Sequence, residues 1–426
     1  MILRDVTVSR AALVFTFLTG LLVQMVCAAE FIFLPVPQSP LITLRVMIKT
    51  GPMHDPSGKE GLAWLMSSVV ARGGTGTLSR ADIIRRLFPM AADIRCSGGR
   101  ETLVFDGTVH RDHLKAYYAV FKELVLQPAF DEQDLRRERD AAINWLTNGL
   151  RSTEDESLGK EVLELMLYRN HPYQCFGTVD GLLAIDRRDL IEFHRQALSR
   201  RKVWVGLAGG YDLGFAEQLK RDFALVGSDK PEPLLPSPVM PSGLEVTLVQ
   251  KKCDACAISL GFPVSYTRAD PDFFALMVAN SFLGEHRMFI GRLQKTLRMA
   301  RGMNYGNYSY LDYFLQGDGR FAQCGVPRRQ QFFSIWIRPV KPEQAHFALR
   351  AALRELRQLV ERGMTVDEVE DYKRFVLANS RLWAQTVERR LAYRMDSDFY
   401  GRTDFLRDIQ RRVARLTARE VNAAIR

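Results

Sequence analysis

Five prolines crowd into one short segment of the chain, residues 227–243. Proline fixes the backbone angle φ and has no amide hydrogen, so such a segment continues neither a helix nor a central strand. The sequence therefore predicts an extended linker at residues 227–243. This linker separates an N-terminal domain at residues 30–226 from a C-terminal domain at residues 244–426.

The two domains repeat the same helix starts at nearly the same spacing. A charged helical stretch begins at Asp131, and a capping-box pattern formed by Thr365 and Glu368 begins a similar stretch 234 residues later. Helix starts at Asp186 and Thr417 lie 231 residues apart. Two matches at almost one offset predict that the second domain is a distant copy of the first.

Each half begins with strand patterns, at residues 41–50 and 244–262, and continues with helices. Strands and helices in separate runs are typical of the α+β class. We therefore expect two duplicated domains, each a mainly antiparallel sheet with helices on one face. At 47% hydrophobic and 25% charged residues, the composition excludes a disordered chain.

The formal net charge of +10 is spread along the whole length of the chain. The sequence contains no run of five like charges and no interleaving of aromatic with basic residues that would stack nucleic-acid bases. We therefore expect no nucleic-acid partner and interpret the charge as a generally basic surface.

The N-terminal segment differs from the rest of the chain. Arg4 and Arg10 precede an apolar run at residues 11–26, and a small-residue exit ends at Ala29. This order describes a secretory signal peptide at residues 1–29. The run is short of the roughly 20 residues that span a bilayer, so we expect cleavage, no stable membrane anchor and a periplasmic or secreted protein. An uncleaved anchor is the alternative.

Five cysteines remain after cleavage, and an odd number leaves at least one thiol unpaired or intermolecular. The sequence leaves open the disulfide pairing among Cys96, Cys175, Cys253, Cys256 and Cys324. The Cys253-x-x-Cys256 spacing runs into a strand pattern, where residues three apart face opposite ways, so a metal or redox role is not favoured. His110 and His113 lie close together between a strand and a helix start, and zinc is not favoured there either.

Residues 51–63 resemble the strand-to-helix passage of the pitrilysin/insulinase zinc metallopeptidases, which include mitochondrial processing peptidase. They read Gly-Pro-Met-His-Asp-Pro-Ser-Gly-Lys-Glu-Gly-Leu-Ala. Further matches follow in the family's order: Pro128-Ala-Phe130, His171-Pro-Tyr173, Phe176-Gly177-Thr178, Gly291-Arg-Leu293, and Leu297-Arg298 through Arg301-Gly302 to Tyr305. The resemblance covers roughly residues 32–426 and implies the family's two-domain, processing-peptidase-like fold.

In that family an inverted zinc motif, H-x-x-E-H, directly follows the Gly-Leu-Ala present here. Its histidines bind the metal from one helix face, and its glutamate activates the bound water. In this chain those positions are Trp64, Ser67 and Ser68, and the third-ligand position is Trp145. Glu138 alone is kept, at the position that supports a ligand. The resemblance therefore implies no zinc or other cofactor in this chain and no peptide hydrolysis by it alone.

The second half keeps an arginine and a tyrosine, Arg298 and Tyr305, at the family's spacing of seven. The resemblance implies that they reach across a closed chamber toward substrate at the zinc. A guanidinium can hold a peptide carbonyl or carboxylate, and a phenol can donate to a developing oxyanion. The alternative is a surface helix residue at Arg298 and a strand tyrosine packed by Tyr308 and Tyr310.

Within the family, some bacterial members consist of two chains, one with the zinc motif and one with only the Arg/Tyr pair. This chain resembles the second type. We therefore expect a non-catalytic subunit that completes the peptide-binding chamber and active site of a homologous zinc-bearing partner, with a homodimer as the other possibility. Peptides are the expected substrates, and zinc is expected only in the partner. The alternative function is a purely structural or peptide-binding scaffold without a role in catalysis.

Residues 93–98 match the edge strand on which the family lays extended substrate by strand addition. Ala91 and Ala92 replace a glycine pair and Arg95 replaces the usual asparagine, so substrate pairing at this edge is an open question. The sequence also stops at Arg426, before the final strand that closes the family's second domain. Either that sheet is short or another chain supplies its edge.

Overall fold

The computed structural model describes residues 29–228, 230, 232–314 and 321–426. The predicted signal peptide lies outside these residues except for Ala29. The predicted linker is described except at positions 229 and 231, and its described residues form neither helix nor strand. It contacts both halves, since the Glu232 carboxylate lies 3.1 Å from Lys49 Nζ and 3.3 Å from an Arg329 guanidinium nitrogen.

The described residues form eight strands in two sheets. They are β1 Ala29–Pro35, β2 Leu41–Ile48, β3 Arg95–Gly98, β4 Leu103–His110, β5 Val203–Gly209, β6 Cys256–Val264, β7 Asn307–Tyr310 and β8 Gln331–Val340. The first sheet has the order β1-β5-β2-β4-β3, with only β1 and β5 parallel. The second has the order β6-β8-β7 and is antiparallel throughout.

Fourteen α-helices surround the sheets in the described part of the chain. They are α1 Leu62–Arg72, α2 Arg80–Leu87, α3 Leu114–Leu126, α4 Glu132–Asn144, α5 Asp155–Leu167, α6 Val179–Ala184, α7 Arg187–Arg200, α8 Leu213–Asp222, α9 Phe273–Gly284, α10 Pro342–Arg362, α11 Val366–Trp383, α12 Val387–Phe399, α13 Phe405–Val413 and α14 Ala418–Ile425. Among these described helices, none combines the length and the apolar composition needed to cross a membrane.

The helix starts predicted from capping patterns are confirmed. Asp186, Thr365 and Thr417 each accept the backbone N–H of the residue three positions on, and the carboxylate of that residue accepts the cap's own N–H. Asp131 caps α4 by accepting the N–H of Gln133. These bonds satisfy amide groups that a helix leaves unpaired in its first turn, so four short sequence patterns place four helices.

The two halves repeat one arrangement. Helix α1 packs on α4, α7 and β3 in the first half, and α9 packs on α11, α14 and β7 in the second. Each half has its own apolar core, in which helices cover one face of the sheet. The predicted α+β class with two duplicated domains is thus confirmed.

Each sheet is covered on its second face by a helix from the other half. In β5, Val203 faces the core of the first half, whereas the next residue, Trp204, packs against Leu391 and Met395 of α12. The Trp204 indole N–H also donates to Asp398 at 2.7 Å. Reciprocally, α5 of the first half packs on β6 and β8. The halves are therefore joined by buried apolar surface.

The strand predicted at residues 244–262 is wrong over its first part. The strand begins at Cys256, and residues 244–255 have no strand partner. In the first sheet, β1 is held by β5, which follows α7. Residues 244–250 pair with no strand among the described residues. Their apolar side chains Leu244 and Leu248 are exposed.

Candidate functional site

Helix α1 carries three of the four degenerate zinc positions, and its local structure is intact. Asp55 holds its first turn by accepting the backbone N–H groups of Gly61 and Ala63, at 2.8 Å each. Burial raises the pKa of the Asp55 carboxyl to about 7. The apolar stripe of the helix packs into the core of the first half through Leu62, Leu65, Met66, Val69 and Val70. The helix that presents zinc ligands in the family therefore forms here without them.

The side chains on the ligand face of α1 make local contacts instead. The Ser67 hydroxyl is buried and donates to the carbonyl oxygen of Trp64 at 2.8 Å. Cys96, on β3, donates its thiol hydrogen to the carbonyl oxygen of Ser97 at 3.8 Å. Burial raises the pKa of the Cys96 thiol to about 12, so the sulfur is protonated at neutral pH. A thiol, a hydroxyl and an indole are not the thiolate, imidazole or carboxylate ligands that zinc takes.

Near the third-ligand position, Glu138 and Trp145 also make contacts that differ from those of a zinc site. Glu138 is buried on α4 and accepts from Arg72 Nη1 at 3.4 Å and from Arg137 Nε at 3.1 Å. Trp145 opens the π-helix Trp145–Thr153 with its side chain 43% exposed. A Cβ atom at Gly149 would lie 2.3 Å from the Trp145 ring, so glycine leaves room for the indole. The carboxylate that supports a ligand in the family here pairs with two arginines.

These residues do not fit a zinc ion. In the part of the chain that the structure describes, no group of three or more His, Cys, Asp or Glu side chains is placed to hold a metal. His110 serves a local turn, because its Nδ1 accepts the backbone N–H of Asp112 at 3.3 Å. The four degenerate positions offer indole rings and hydroxyls, and no hydrolytic step through a metal can be derived from them.

Arg298 and Tyr305 lie together at the surface of the second half. Arg298 belongs to the π-helix Gln294–Met299, which is anchored by the buried Leu297. Its guanidinium carbon lies 4.5 Å from the ring centre of Tyr305 and 4.5 Å from that of Phe289. Tyr305 is 74% exposed and Phe289 is 53% exposed. The cation is therefore held between two aromatic faces, an arrangement stabilised by the ring quadrupoles.

The packed-strand alternative for Tyr305 is wrong. Strand β7 begins at Asn307, and the tyrosines buried on it are Tyr308 and Tyr310. Neither Arg298 nor Tyr305 makes an ion pair or a side-chain hydrogen bond with any described residue. Tyr305 is mostly exposed and Arg298 is partly exposed, so another molecule can reach this pair.

Strand β3 forms the edge of the first sheet, where the resemblance places substrate. Ala91, just before it, has φ of 47°, a left-handed conformation that glycine adopts more easily. Arg95 donates to Glu388 of α12 at 2.6 Å and lies 3.5 Å from Asp106. The side chain that replaces the usual asparagine thus ties this edge to the other half.

The structure brings Arg298 and Tyr305 together and adds Phe289, which the sequence analysis does not single out. The signal that points to it is an apolar run at residues 288–290, in a segment outside the helices. Among the described residues, no hydrogen bond, ion pair or ring contact joins this cluster to Trp64 or Trp145. The degenerate zinc region and the Arg298 cluster are separate features of this chain.

Two family models match the chain. One, described as Insulinase (Peptidase family M16), matches residues 35–174, and another, described as Peptidase M16 inactive domain, matches residues 184–376. Together they cover most of both halves. The chain belongs to peptidase family M16. The resemblance seen in the sequence is thereby confirmed.

Curated M16 relatives include proteins that are named zinc proteases and one that is named a non-peptidase homolog. An uncharacterized zinc protease of Streptomyces coelicolor is 25% identical over 309 residues, which are 70% of this chain and 62% of that protein. The chain thus spans less than two thirds of that relative. The non-peptidase homolog YmxG of Helicobacter pylori is 21% identical over 400 residues, 91% of this chain and 86% of that protein.

Solved M16 structures have the same fold. The peptidase M16 inactive domain from Pseudomonas fluorescens superposes with a TM-score of 0.79 at 20% identity, covering 93% of this chain and 92% of that one. The periplasmic protease PqqL from Escherichia coli superposes with a TM-score of 0.70 at 14% identity, covering 92% of this chain and 42% of that one. An M16 fold without ligands at the zinc positions supports a non-catalytic M16-like protein.

Proposed function

We propose that this chain is the non-catalytic subunit of an M16 peptidase, and that it completes the peptide-binding chamber and active site of a homologous zinc-bearing subunit. The observation that supports this most directly is the pairing of Arg298 with Tyr305, whose ring centre lies 4.5 Å from the guanidinium carbon. Both side chains are surface groups with polar atoms left for another molecule. The chain itself needs no cofactor in this arrangement, because zinc is bound by the partner.

The chemistry of the pair suits peptide hydrolysis at a neighbouring metal. The Arg298 guanidinium presents several N–H donors in a fixed plane and can hold a peptide carbonyl or carboxylate of the substrate. The Tyr305 phenol can donate to the oxygen that gains negative charge when water attacks the peptide bond. Stacking between Phe289 and Tyr305 limits the motion of the guanidinium before substrate arrives, which lowers the ordering cost of binding.

The proposed location is the periplasm or the exterior of the cell. It is supported by the signal-peptide pattern at residues 1–29 and by the periplasmic protease among the proteins with this fold. Peptides are the proposed substrates, since the family's chemistry is peptide hydrolysis. The partner is a homologous M16 chain with an intact H-x-x-E-H motif, and a gene beside that of this protein is the first place to look for it.

A scaffold without a role in catalysis is the second candidate. The observation that favours it is the bond from Arg95 to Glu388, which ties the edge strand where the family lays its substrate to α12. If substrate cannot pair with that edge strand, the chain would serve as structural support for a partner. The two candidates differ in one respect, because a scaffold does not need the polar atoms of Arg298 and Tyr305.

The deciding experiment reconstitutes activity from purified chains. The mature protein is mixed with the zinc-bearing M16 chain of the same organism, and cleavage of a quenched fluorescent peptide library is followed. Tyr305→Phe removes one hydroxyl and should lower kcat by roughly 10²–10³-fold, the usual cost of one oxyanion donor. Arg298→Ala should mainly raise KM, because its role is to hold the substrate.

Matched controls separate chemistry from assembly. Tyr211 lies in the first half beside Phe33, and Arg357 lies on the exposed side of α10. The variants Tyr211→Phe and Arg357→Ala should therefore leave kcat and KM unchanged. Complex formation by each variant is measured by size-exclusion chromatography. If Tyr305→Phe and Arg298→Ala support the partner as well as the unaltered chain does, the proposal is wrong and the scaffold function is the better one.

A further inference from the structure

The segment between α9 and β7 is rich in positive charge. Residues 286–305 include five lysine or arginine residues and no aspartate or glutamate; the five are Arg287, Arg292, Lys295, Arg298 and Arg301. Arg292 is paired, since its Nε lies 2.9 Å from a carboxylate oxygen of Glu355 on α10. Among the residues that the structure describes, the other four make no ion pair. Most of the positive charge of this segment is therefore not balanced by a described carboxylate.

Exposed arginines on the neighbouring helices are paired locally. Arg357 on α10 lies 2.6 Å from Glu361, and Arg374 on α11 pairs with Asp371. Such pairs form between residues three or four apart on one helix. Residues 286–305 contain no acidic side chain for a pair of this kind, so their cations remain available to an anion of another molecule.

Two of these cations are fixed against aromatic rings. Arg298 lies between Phe289 and Tyr305, at 4.5 Å from each ring centre. The Arg301 guanidinium carbon lies 5.3 Å from the ring centre of Phe347 on α10. Stacking uses the flat faces of a guanidinium and leaves the N–H groups in its plane free to donate. Arg301 uses one of these groups for a backbone carbonyl oxygen of the same segment, at 2.7 Å.

A third unpaired arginine lies close to Arg298. Burial raises the pKa of the Tyr308 phenol on β7, and the positive charges of Arg338, Arg287 and Arg298 oppose that rise. Arg338 is paired with Glu156 at 2.8 Å, but among the described residues Arg287 and Arg298 have no such partner. Two unpaired guanidinium groups are therefore near the same phenol.

Apolar side chains are exposed between these cations. Phe289 is 53% exposed and Met299 is 68% exposed, and Ile290 is exposed as well. Exposed aromatic and arginine side chains that lie together are typical of interaction surfaces. We call this part of the second half the basic-aromatic surface and define it by Arg287, Phe289, Arg298, Arg301, Tyr305 and Phe347.

We propose that the basic-aromatic surface binds acidic peptides, and that it selects peptides with a carboxylate beside an apolar side chain as substrates of the proposed complex. Carboxylates accept from the in-plane N–H groups of the arginines, and apolar side chains lie against the exposed rings. Base stacking needs open aromatic faces, whereas Phe289 and Tyr305 each give one face to Arg298, which favours a peptide over a nucleic acid. The inference rests on the proposed function for the peptide nature of the ligand.

Isothermal titration calorimetry of the full mature chain tests the proposal. The probe is a ten-residue peptide with blocked ends that contains three glutamates and three leucines separated by glycine and serine. We expect it to bind roughly ten-fold more tightly at low salt than the same peptide with glutamines, and the difference should shrink in 0.5 M salt. The glutamine peptide with a free C-terminal carboxylate shows whether a chain end supplies the anion as well. Tighter binding of a ten-nucleotide oligothymidylate than of the glutamate peptide would overturn the proposal.

Paired variants locate the binding surface. The double variant Arg287→Gln with Arg301→Gln should weaken binding of the glutamate peptide roughly ten-fold. The matched double variant Arg357→Gln with Arg374→Gln loses the same charge from paired positions and should bind as the unaltered chain does. Circular dichroism confirms that each variant is folded. An equal loss in both double variants would overturn the proposal, because net charge alone would then explain the binding.

The calorimetry contains no zinc-bearing chain, so its result is separate from that of the reconstitution. Failure of the proposed function would appear as absent cleavage while the preference for glutamate persists. Equal affinities for the glutamate and glutamine peptides, or no binding of either, would overturn this inference even if the reconstituted complex cleaves peptides.

Discussion

Arg95 Nη2 lies 2.6 Å from the carboxylate of Glu388, although the two residues are 293 positions apart. The bond joins the edge strand β3 of the first half to α12 of the second. Arg95 and Glu388 are both partly exposed, with side chains 52% and 35% accessible. An ion pair in such a position contributes little to folding.

The first prediction concerns this bond. In a double-mutant cycle with Arg95→Asn and Glu388→Gln, the coupling energy from urea denaturation should lie at about 0.2–1 kcal/mol, and it should fall in 1 M salt. The cycle separates the pair from the second contact of Arg95 with Asp106. A coupling above 2 kcal/mol would contradict this prediction and show that the pair holds β3 firmly to α12.

The second prediction concerns metal. The variant combining Trp64→His, Ser67→Glu and Ser68→His should still retain no stoichiometric zinc after dialysis, because Trp145 supplies no third ligand and Glu138 is paired with Arg72 and Arg137. Metal analysis by mass spectrometry is the measurement. The matched variant with Trp145→Glu added is the informative comparison. One zinc per chain in the triple variant would contradict this account of the site.

The third prediction concerns export. The mature protein should begin at Ala29 or Glu30 and be found in the soluble periplasmic or secreted fraction. The structure is compatible with either start, because loss of Ala29 removes only the first pair of the β1–β5 ladder, Ala29 with Val203. N-terminal sequencing of the purified protein makes the check. Recovery of Met1 from a membrane pellet would support the anchor alternative instead.

The fourth prediction concerns pH. Burial raises the pKa of Glu285 from 4.5 to about 7, although Ser281 and Asn379 donate to its carboxylate. The folded state therefore holds this proton more tightly than the unfolded chain does. Its contribution to stability is complete below about pH 4.5 and is lost as the pH rises through 7.

Glu285→Gln removes that titration. Between pH 5 and 8 the free energy of unfolding of the unaltered chain should fall more steeply than that of the variant, by on the order of 2 kcal/mol. Glu217→Gln, at an exposed position of α8, should keep the original slope. Urea denaturation at each pH gives the values. Parallel profiles for Glu285→Gln and the unaltered chain would show that this carboxyl does not titrate in that range.

Helix starts can be predicted from this sequence because a capping box is satisfied within four residues. Thr365 and Glu368 complete each other's bonds regardless of the rest of the fold. The strand expected at residue 244 fails for the opposite reason. Its alternating apolar residues predict an extended backbone, but a strand also needs a neighbour from a distant part of the chain, and the described residues provide none.

In the candidate site, too, one feature can be predicted from the sequence and another cannot. The loss of zinc chemistry can be predicted from residue types alone, since neither Trp64 nor Ser68 can act as histidine. The position of Phe289 against Arg298 cannot, because it depends on a turn at Arg287, whose φ of 53° no local pattern requires.

The last prediction concerns the surface between the two halves. Leu391 of α12 is fully buried against Met47, Val104 and Trp204 of the first sheet. Leu391→Ala should therefore lower the free energy of unfolding by about 2–5 kcal/mol, whereas Leu382→Ala, at an exposed position of α11, should change it by less than about 0.5 kcal/mol. Because Leu391→Ala removes side-chain contacts between the two halves, the whole chain should unfold earlier in one transition. Circular dichroism and tryptophan fluorescence would then give coincident urea curves. Two separated transitions could be seen instead, with Leu391→Ala shifting only the transition of the second half. That result would show that α12 stabilises its own half and not the sheet it covers.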